Sequence, residues 1–212
     1  EMEKRGLNFV RYADDCIILV GSSKAADRVI ASITRYIEKK LGLKVNMTKS
    51  KVSKPNDIKY LGFGFFRDSC DGLWKARPHE KSVNKLMVKL KKLTLRSWGV
   101  SMEHRISRIN EVLRGWFRYY RIGYFKNVCR RVDRNIRFRL RMCIWKQWKK
   151  TRTRYRNLLK LGLPQWKAIT WANSRKSYAR CASTFLQVAI PNSLFERKGL
   201  VPLLNLYQLK HI

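Results

Sequence analysis

Acidic side chains are scarce in this 212-residue chain: 14 Asp and Glu stand against 48 Lys and Arg, for a formal net charge of +34. An imbalance of that size excludes an ordinary metabolic enzyme and points to a polyanionic partner. Long apolar runs are missing as well. None reaches the roughly 18–20 residues of a membrane span, and no apolar segment follows Glu1-Met2-Glu3-Lys4-Arg5-Gly6 to make a signal peptide. The three histidines (His79, His104, His211) are far apart, and the five cysteines (Cys16, Cys70, Cys129, Cys143, Cys181) form no C-x-x-C. A zinc ribbon or zinc finger is therefore excluded. Odd in number and scattered, the cysteines read as reduced core thiols of an intracellular protein.

What is present argues for a folded nucleic-acid binder. Hydrophobic residues make up 45% and aromatics 12%, enough for a core and against wholesale disorder. Seven Trp and nine Tyr in a basic protein can stack on bases as well as fill a core, which favours nucleic acid over a membrane surface. The charge is uneven: residues 1–111 hold 24 basic and 12 acidic side chains, whereas 112–212 hold 24 basic and only Asp133 and Glu196. The second part is the stronger polyanion surface.

The first section reads as α+β. Two short β-rich runs, Leu7–Tyr12 and Cys16–Val20, flank Ala13-Asp14-Asp15 and predict a hairpin. Ser22 or Ser23 can cap a helix with Val29, Ile30, Ile33, Ile37 and Leu41 at helical spacing, and Gly42 ends it. Strands are expected around Leu43–Asn46 and Tyr60–Phe66, then a turn at Asp68–Gly72. After Pro78 the periodicity is helical only. One helix carries Val83, Leu86, Met87, Leu90 and Leu93 and is expected to close at Gly99; a second starts at a Ser101 cap; a third runs from about Phe125 to Trp148. Shorter helices follow, punctuated by Gly162-Leu163-Pro164, Pro191, Gly199 and Pro202. The expected division is 1–75, 78–150 and 151–212. A strand begins almost at once, which reads as an incomplete chain.

Asp14-Asp15 is the one adjacent acidic pair. Asp is common in turns, so the pair has a plain reading; carboxylates at a hairpin tip also project hard oxygen ligands that suit Mg²⁺. The flanks extend the second reading. Phe9-Val10-Arg11-Tyr12-Ala13-Asp14-Asp15 resembles the Tyr-x-Asp-Asp catalytic hairpin of reverse transcriptases. Leu41–Lys51 and Tyr60-Leu61-Gly62-Phe63 resemble the next palm blocks of group II intron enzymes. Leu113-Arg114-Gly115-Trp116-Phe117-Arg118-Tyr119-Tyr120 resembles their thumb, or maturase-specific region, and Phe195–Val201 their C-terminal DNA-binding segment.

The resemblance implies a partial reverse-transcriptase palm (antiparallel hairpin plus helix and strands), an all-helical thumb and a basic helical tail. It makes Asp14 and Asp15 the catalytic, Mg²⁺-binding carboxylates of two-metal nucleotidyl transfer. Tyr12 and Ala13 would lie at the primer end, Leu61 and Gly62 at the primer grip, where glycine admits a close backbone. Lys49 is a candidate for the triphosphate or pyrophosphate, or simply a solvated lysine beside Lys51 and Lys54. A palm needs a further Asp and fingers from an earlier strand, and neither is found, so a separate N-terminal reverse-transcriptase fragment is an expected partner. This chain alone is expected to be inactive.

The third helix carries the clearest phosphate surface. Val128, Val132, Ile136, Leu140 and Cys143 mark one face and Arg130, Arg134, Arg137 and Arg141 the opposite one; from Lys126 to Lys160 there are fourteen Lys and Arg and one acid, Asp133. A solvated face would mix signs, so the stripe favours phosphates. Arg114, Arg118, Lys149 and Lys150 join it as nucleic-acid contacts. Trp145, Trp148, Trp166 and Trp171 can stack on unpaired bases or be buried between helices. The expected partners are intron RNA, RNA template and DNA primer, with target DNA at the C-terminal segment, and the expected location is the bacterial cytoplasm or an organelle. Two alternatives stay open: a non-catalytic RNA-binding maturase, and a reverse transcriptase of a retron or diversity-generating element.

Overall fold

The computed structural model describes residues 2–209; Glu1 and residues 210–212, His211 among them, lie outside the described residues. The chain divides into two compact units, Glu1–Trp74 and Lys75–Ile212. In the first, β1 (Asn8–Tyr12) and β2 (Asp15–Leu19) form an antiparallel pair with Tyr12 opposite Asp15. The two-residue loop Ala13-Asp14 puts Ala13 at φ 51°, and a positive φ at the first loop position lets the loop follow the strand twist. Arg11 Nε donates to the Ala13 carbonyl at 2.9 Å and ties the loop down. Ser22 caps α1 (Ser23–Leu41), its hydroxyl accepting from the Ala25 N–H at 3.2 Å, and Gly42 at φ 65° ends it.

One strand expectation fails here and another is met only in part. No strand forms at Leu43–Asn46: Leu43 is 60% exposed, and the Asn46 carboxamide oxygen accepts from the Thr48 and Lys49 N–H groups, a local turn that competes with pairing. The strand expected from Tyr60 starts only at Phe63. Tyr60 and Phe63 exchange backbone bonds of 2.9 and 2.8 Å across Leu61-Gly62, at φ 47° and 82°, the paired positive φ values of a tight hairpin turn. Gly62 therefore serves the turn. β3 (Phe63–Arg67) pairs with β4 (Trp74–Pro78), a strand the sequence pattern did not suggest.

Among the described residues every buried apolar side chain lies between Pro78 and Tyr207, and α1 buries none of its stripe. The core thus belongs to the second unit. Its first helix, α2 (Glu80–Leu93), ends at Thr94, not near Gly99. The cause is Arg105, fully buried, which donates to the carbonyls of Leu93 (2.6 Å), Leu95 (3.1 Å) and Trp98 (2.7 Å). It satisfies the Leu93 carbonyl, one that the helix end leaves without an intrahelical partner, and ties down the loop that follows. Ser101 caps α3 (Met102–Tyr120) through the His104 N–H. At the next turn a Cβ on Gly123 would come within 3.3 Å of the Ala76 carbonyl, and Tyr124 N–H donates to that same oxygen.

α4 (Lys126–Gln147) is the central helix. Cys129, Val132, Ile136 and Leu140 are buried at three- and four-residue spacing, and from Arg141 to Trp145 five consecutive residues are buried. α10 (Leu203–Gln208), α7 (Tyr178–Ser183), α8 (Phe185–Ala189) and α2 pack against it. Of the tail's other helices, α5 (Thr151–Lys160) packs on α6 (Gln165–Ala172), and α9 (Asn192–Arg197) precedes α10. Two polar side chains fasten the end of the chain: Asn110 exchanges bonds with the Gly199 carbonyl and Val201 N–H, and Asp133 accepts from Leu203 and Leu204 N–H at 2.8 and 3.0 Å. Of the cysteines expected in the core, Cys129, Cys143 and Cys181 are buried but Cys16 and Cys70 are exposed.

Candidate nucleic-acid interface

At the first hairpin, strand pairing sets Tyr12 and Asp15 opposite each other with Asp14 at the tip. Tyr12 is 64% exposed and both carboxylates are exposed. Carboxylate oxygens at a solvated tip have the chemistry Mg²⁺ takes, but no group of three His, Cys, Asp or Glu forms among the described residues. Asp14 and Asp15 fit a cation as two ligands of a larger set. Burial pushes the Tyr60 phenol above its ordinary range, with Asp15 and then Cys16 adding in the same direction. The Tyr60 hydroxyl is buried without a hydrogen-bond partner. Lys49 is exposed in the Asn46 turn, and Leu61 and Gly62 occupy the tight turn after Tyr60.

On the helices, Arg114 and Arg118 are exposed one turn apart on α3. Arg130 and Arg134 are exposed on α4, Arg137 is half-buried, and Lys149 and Lys150 are exposed between α4 and α5. Arg141 departs from the expected stripe. It is 7% exposed, its Nε donates to the Ile190 carbonyl and a terminal nitrogen to Asn192 Oδ1, both at 2.9 Å. The reason is geometric: from Leu140 to Trp145 every residue of α4 is buried, so no face remains there for a solvated cation. Arg139 is likewise turned inward, onto the Thr94 hydroxyl and the Lys91 carbonyl.

Asp133, the lone acid of the stripe, faces the protein. Burial raises its pKa, opposed by the N–H groups of Leu204 and Leu203 and then by Arg137. With Asp133 enclosed, residues 134–195 carry 15 Lys and Arg and no Asp or Glu. Cations with no acid nearby in sequence are available to phosphate. The tryptophans divide: Trp145 is buried under the Arg154 guanidinium, 4.5 Å from its ring, Trp148 and Trp171 are half-buried, and Trp166 is 67% exposed. Sequence reasoning missed Arg105, Asn110 and the capping role of Asp133. A buried Arg and a solvated one look alike in a sequence; only the isolation of Asp133 among cations was a signal.

Residues 1–65 match the family described as Reverse transcriptase (RNA-dependent DNA polymerase), and residues 83–162 match Group II intron, maturase-specific domain. Among curated proteins the chain is similar to the "Uncharacterized mitochondrial protein ymf11" of Marchantia polymorpha, 37% identical over 60 residues, 26% of this chain and 8% of that protein. It is also similar to the "Putative COX1/OXI3 intron 2 protein" of Saccharomyces cerevisiae, 33% identical over 73 residues, 34% of this chain and 8% of that protein. The matched stretches therefore span less than a tenth of each relative. No described helix is long and apolar enough to cross a membrane.

Proposed function

We propose that this chain, which belongs to the group II intron reverse transcriptase/maturase family, binds intron RNA through the exposed cations of its helical unit. The observation that carries the reading is the acid-free stretch of residues 134–195, with Asp133 enclosed behind it. Arg114, Arg118, Arg130, Arg134, Lys149 and Lys150 are the contacts, with the half-buried Arg137 completing the α4 row, holding phosphates by charge and guanidinium hydrogen bonds. RNA template, DNA primer and, at the C-terminal helices, target DNA offer the same backbone chemistry.

Asp14 and Asp15 are the polymerase carboxylates in this reading, with Tyr12 and Ala13 at the primer end and Leu61-Gly62 beneath the primer backbone. When bound there, Mg²⁺ lowers the pKa of an attacking hydroxyl and neutralises charge on the phosphate. Two carboxylates do not make the set, so DNA synthesis needs a further acid from another polypeptide segment. A second reading, a maturase that only binds RNA, is favoured by that same shortage of acids. Primer extension separates them. The chain alone is expected to extend no primer; with a reverse-transcriptase segment supplying the other Asp it extends one, and Asp14→Ala abolishes this. Extension by the chain alone would refute the site assignment, while intron RNA binding without extension in any combination would leave the maturase reading.

A further inference from the structure

A cleft of about 630 Å³ lies among α6, the loop after it and the α7–α8 junction, within the size range of small-ligand sites. Trp171 and Phe185 line it, their rings stacked with centroids 5.1 Å apart and planes 24° from parallel. Arg175 and Lys176, both exposed, also line it, with the hydroxyl-bearing Thr170 and Ser174. No acid occurs near them in sequence to occupy the two cations. The Thr170 hydroxyl donates to the Trp166 carbonyl at 2.9 Å, so Trp166 stands one helical turn away on the same side of α6. Its indole is 67% exposed, with the Lys167 ammonium 5.1 Å from the ring centroid.

A flat aromatic wall, a cationic rim and a second, exposed indole one turn away match the parts of an unpaired nucleotide step. An acidic peptide would use the cations and leave the indole idle; a duplex would use phosphate contacts and leave the aromatic wall idle. We propose that this cleft takes an unpaired base of the bound RNA against Trp171, with the neighbouring base stacked on Trp166 and the intervening phosphate at Arg175 and Lys176. Stacking on an aromatic side chain is sequence-tolerant, because every base has a π-face. The proposal rests on the RNA-binding reading and adds a site selective for single strands.

Octauridine and a 12-base-pair RNA duplex test it on the full chain, using Trp166→Ala and the double variant Arg175→Gln/Lys176→Gln. Both alter exposed side chains, so unchanged thermal unfolding confirms that the fold persists. Trp166→Ala should weaken octauridine binding roughly tenfold, as expected when one base loses its stacking partner, and duplex binding less than twofold. The double variant should likewise weaken octauridine more than duplex. An abasic octamer of the same charge should bind the unmodified chain no better than octauridine binds Trp166→Ala. Equal losses for single strand and duplex, or no loss for either, would overturn the cleft while leaving RNA binding intact. Failure of the unmodified chain to bind either RNA would overturn both readings.

Discussion

Arg134 and Arg141 lie two turns apart on α4 and do opposite things. Arg134 is exposed, whereas Arg141 is buried and bonded to Ile190 and Asn192. Arg141→Gln should cost about 2–3 kcal/mol, since a charged hydrogen bond is removed and a buried carbonyl is left unpaired, while Arg134→Gln should stay within about 0.5 kcal/mol. Denaturant unfolding of the two variants checks this, and equal losses would place Arg141 at the surface. Asp133 gives a pH signature. Its folded-state pKa is raised, so between the unfolded and folded values the folded state binds more protons, and stability falls as pH rises through that window. Relative to Asp133→Asn, which does not titrate, the unmodified protein should gain stability as pH is lowered from 7 toward 4. A flat or reversed difference in unfolding free energy would refute the direction. Gly115 is exposed within α3 and a Cβ there would meet nothing within 4 Å. Gly115→Ala should therefore raise stability by about 0.5–1 kcal/mol, readable as an increase in Tm.

Elements differ in how they are held. β1 and β2 form a two-stranded sheet, and no buried apolar side chain is found before Pro78 among the described residues; a lone hairpin is marginal in water. α3 and α4 carry fully buried Ile109, Leu113, Val132 and Leu140. Amides of Phe9–Val20 should exchange with solvent faster than those of α3 and the middle of α4, and hydrogen-exchange mass spectrometry reads this directly. Slower exchange in the hairpin would contradict it. The long helices were legible because caps and spacing agree: Ser22, Ser101 and Gly42 act as their residue types suggest. The strand expected at Leu43–Asn46 was not, because short apolar runs do not reveal whether a partner strand exists. Nor was the end of α2. A glycine six residues on looked like the stop, but a distant buried arginine sets it.

Over the whole molecule, charge was the most legible property and its orientation the least. A count shows that the second part is almost free of acid; it does not show that Arg105, Arg139 and Arg141 are spent on backbone carbonyls and side chains within the protein. Such arginines hold loops, and the cations left outside are the ones proposed to meet RNA. Asp14 and Asp15 were legible as a pair from their adjacency and flanks, whereas the cleft beside Trp171 depends on a stacked ring 14 residues further along the chain, which no local pattern contains. Whether solvent-facing arginines of α4 hold RNA by its phosphates is decided by the salt dependence of RNA affinity. The unmodified chain is compared with the triple variant Arg130→Gln/Arg134→Gln/Arg137→Gln, which keeps helix propensity and the buried face. The slope of log affinity against log salt should become shallower by roughly 0.7–0.9 for each phosphate that is no longer neutralised, to a similar degree for unrelated RNA sequences. A folded triple variant with an unchanged slope would remove α4 from the RNA-binding surface.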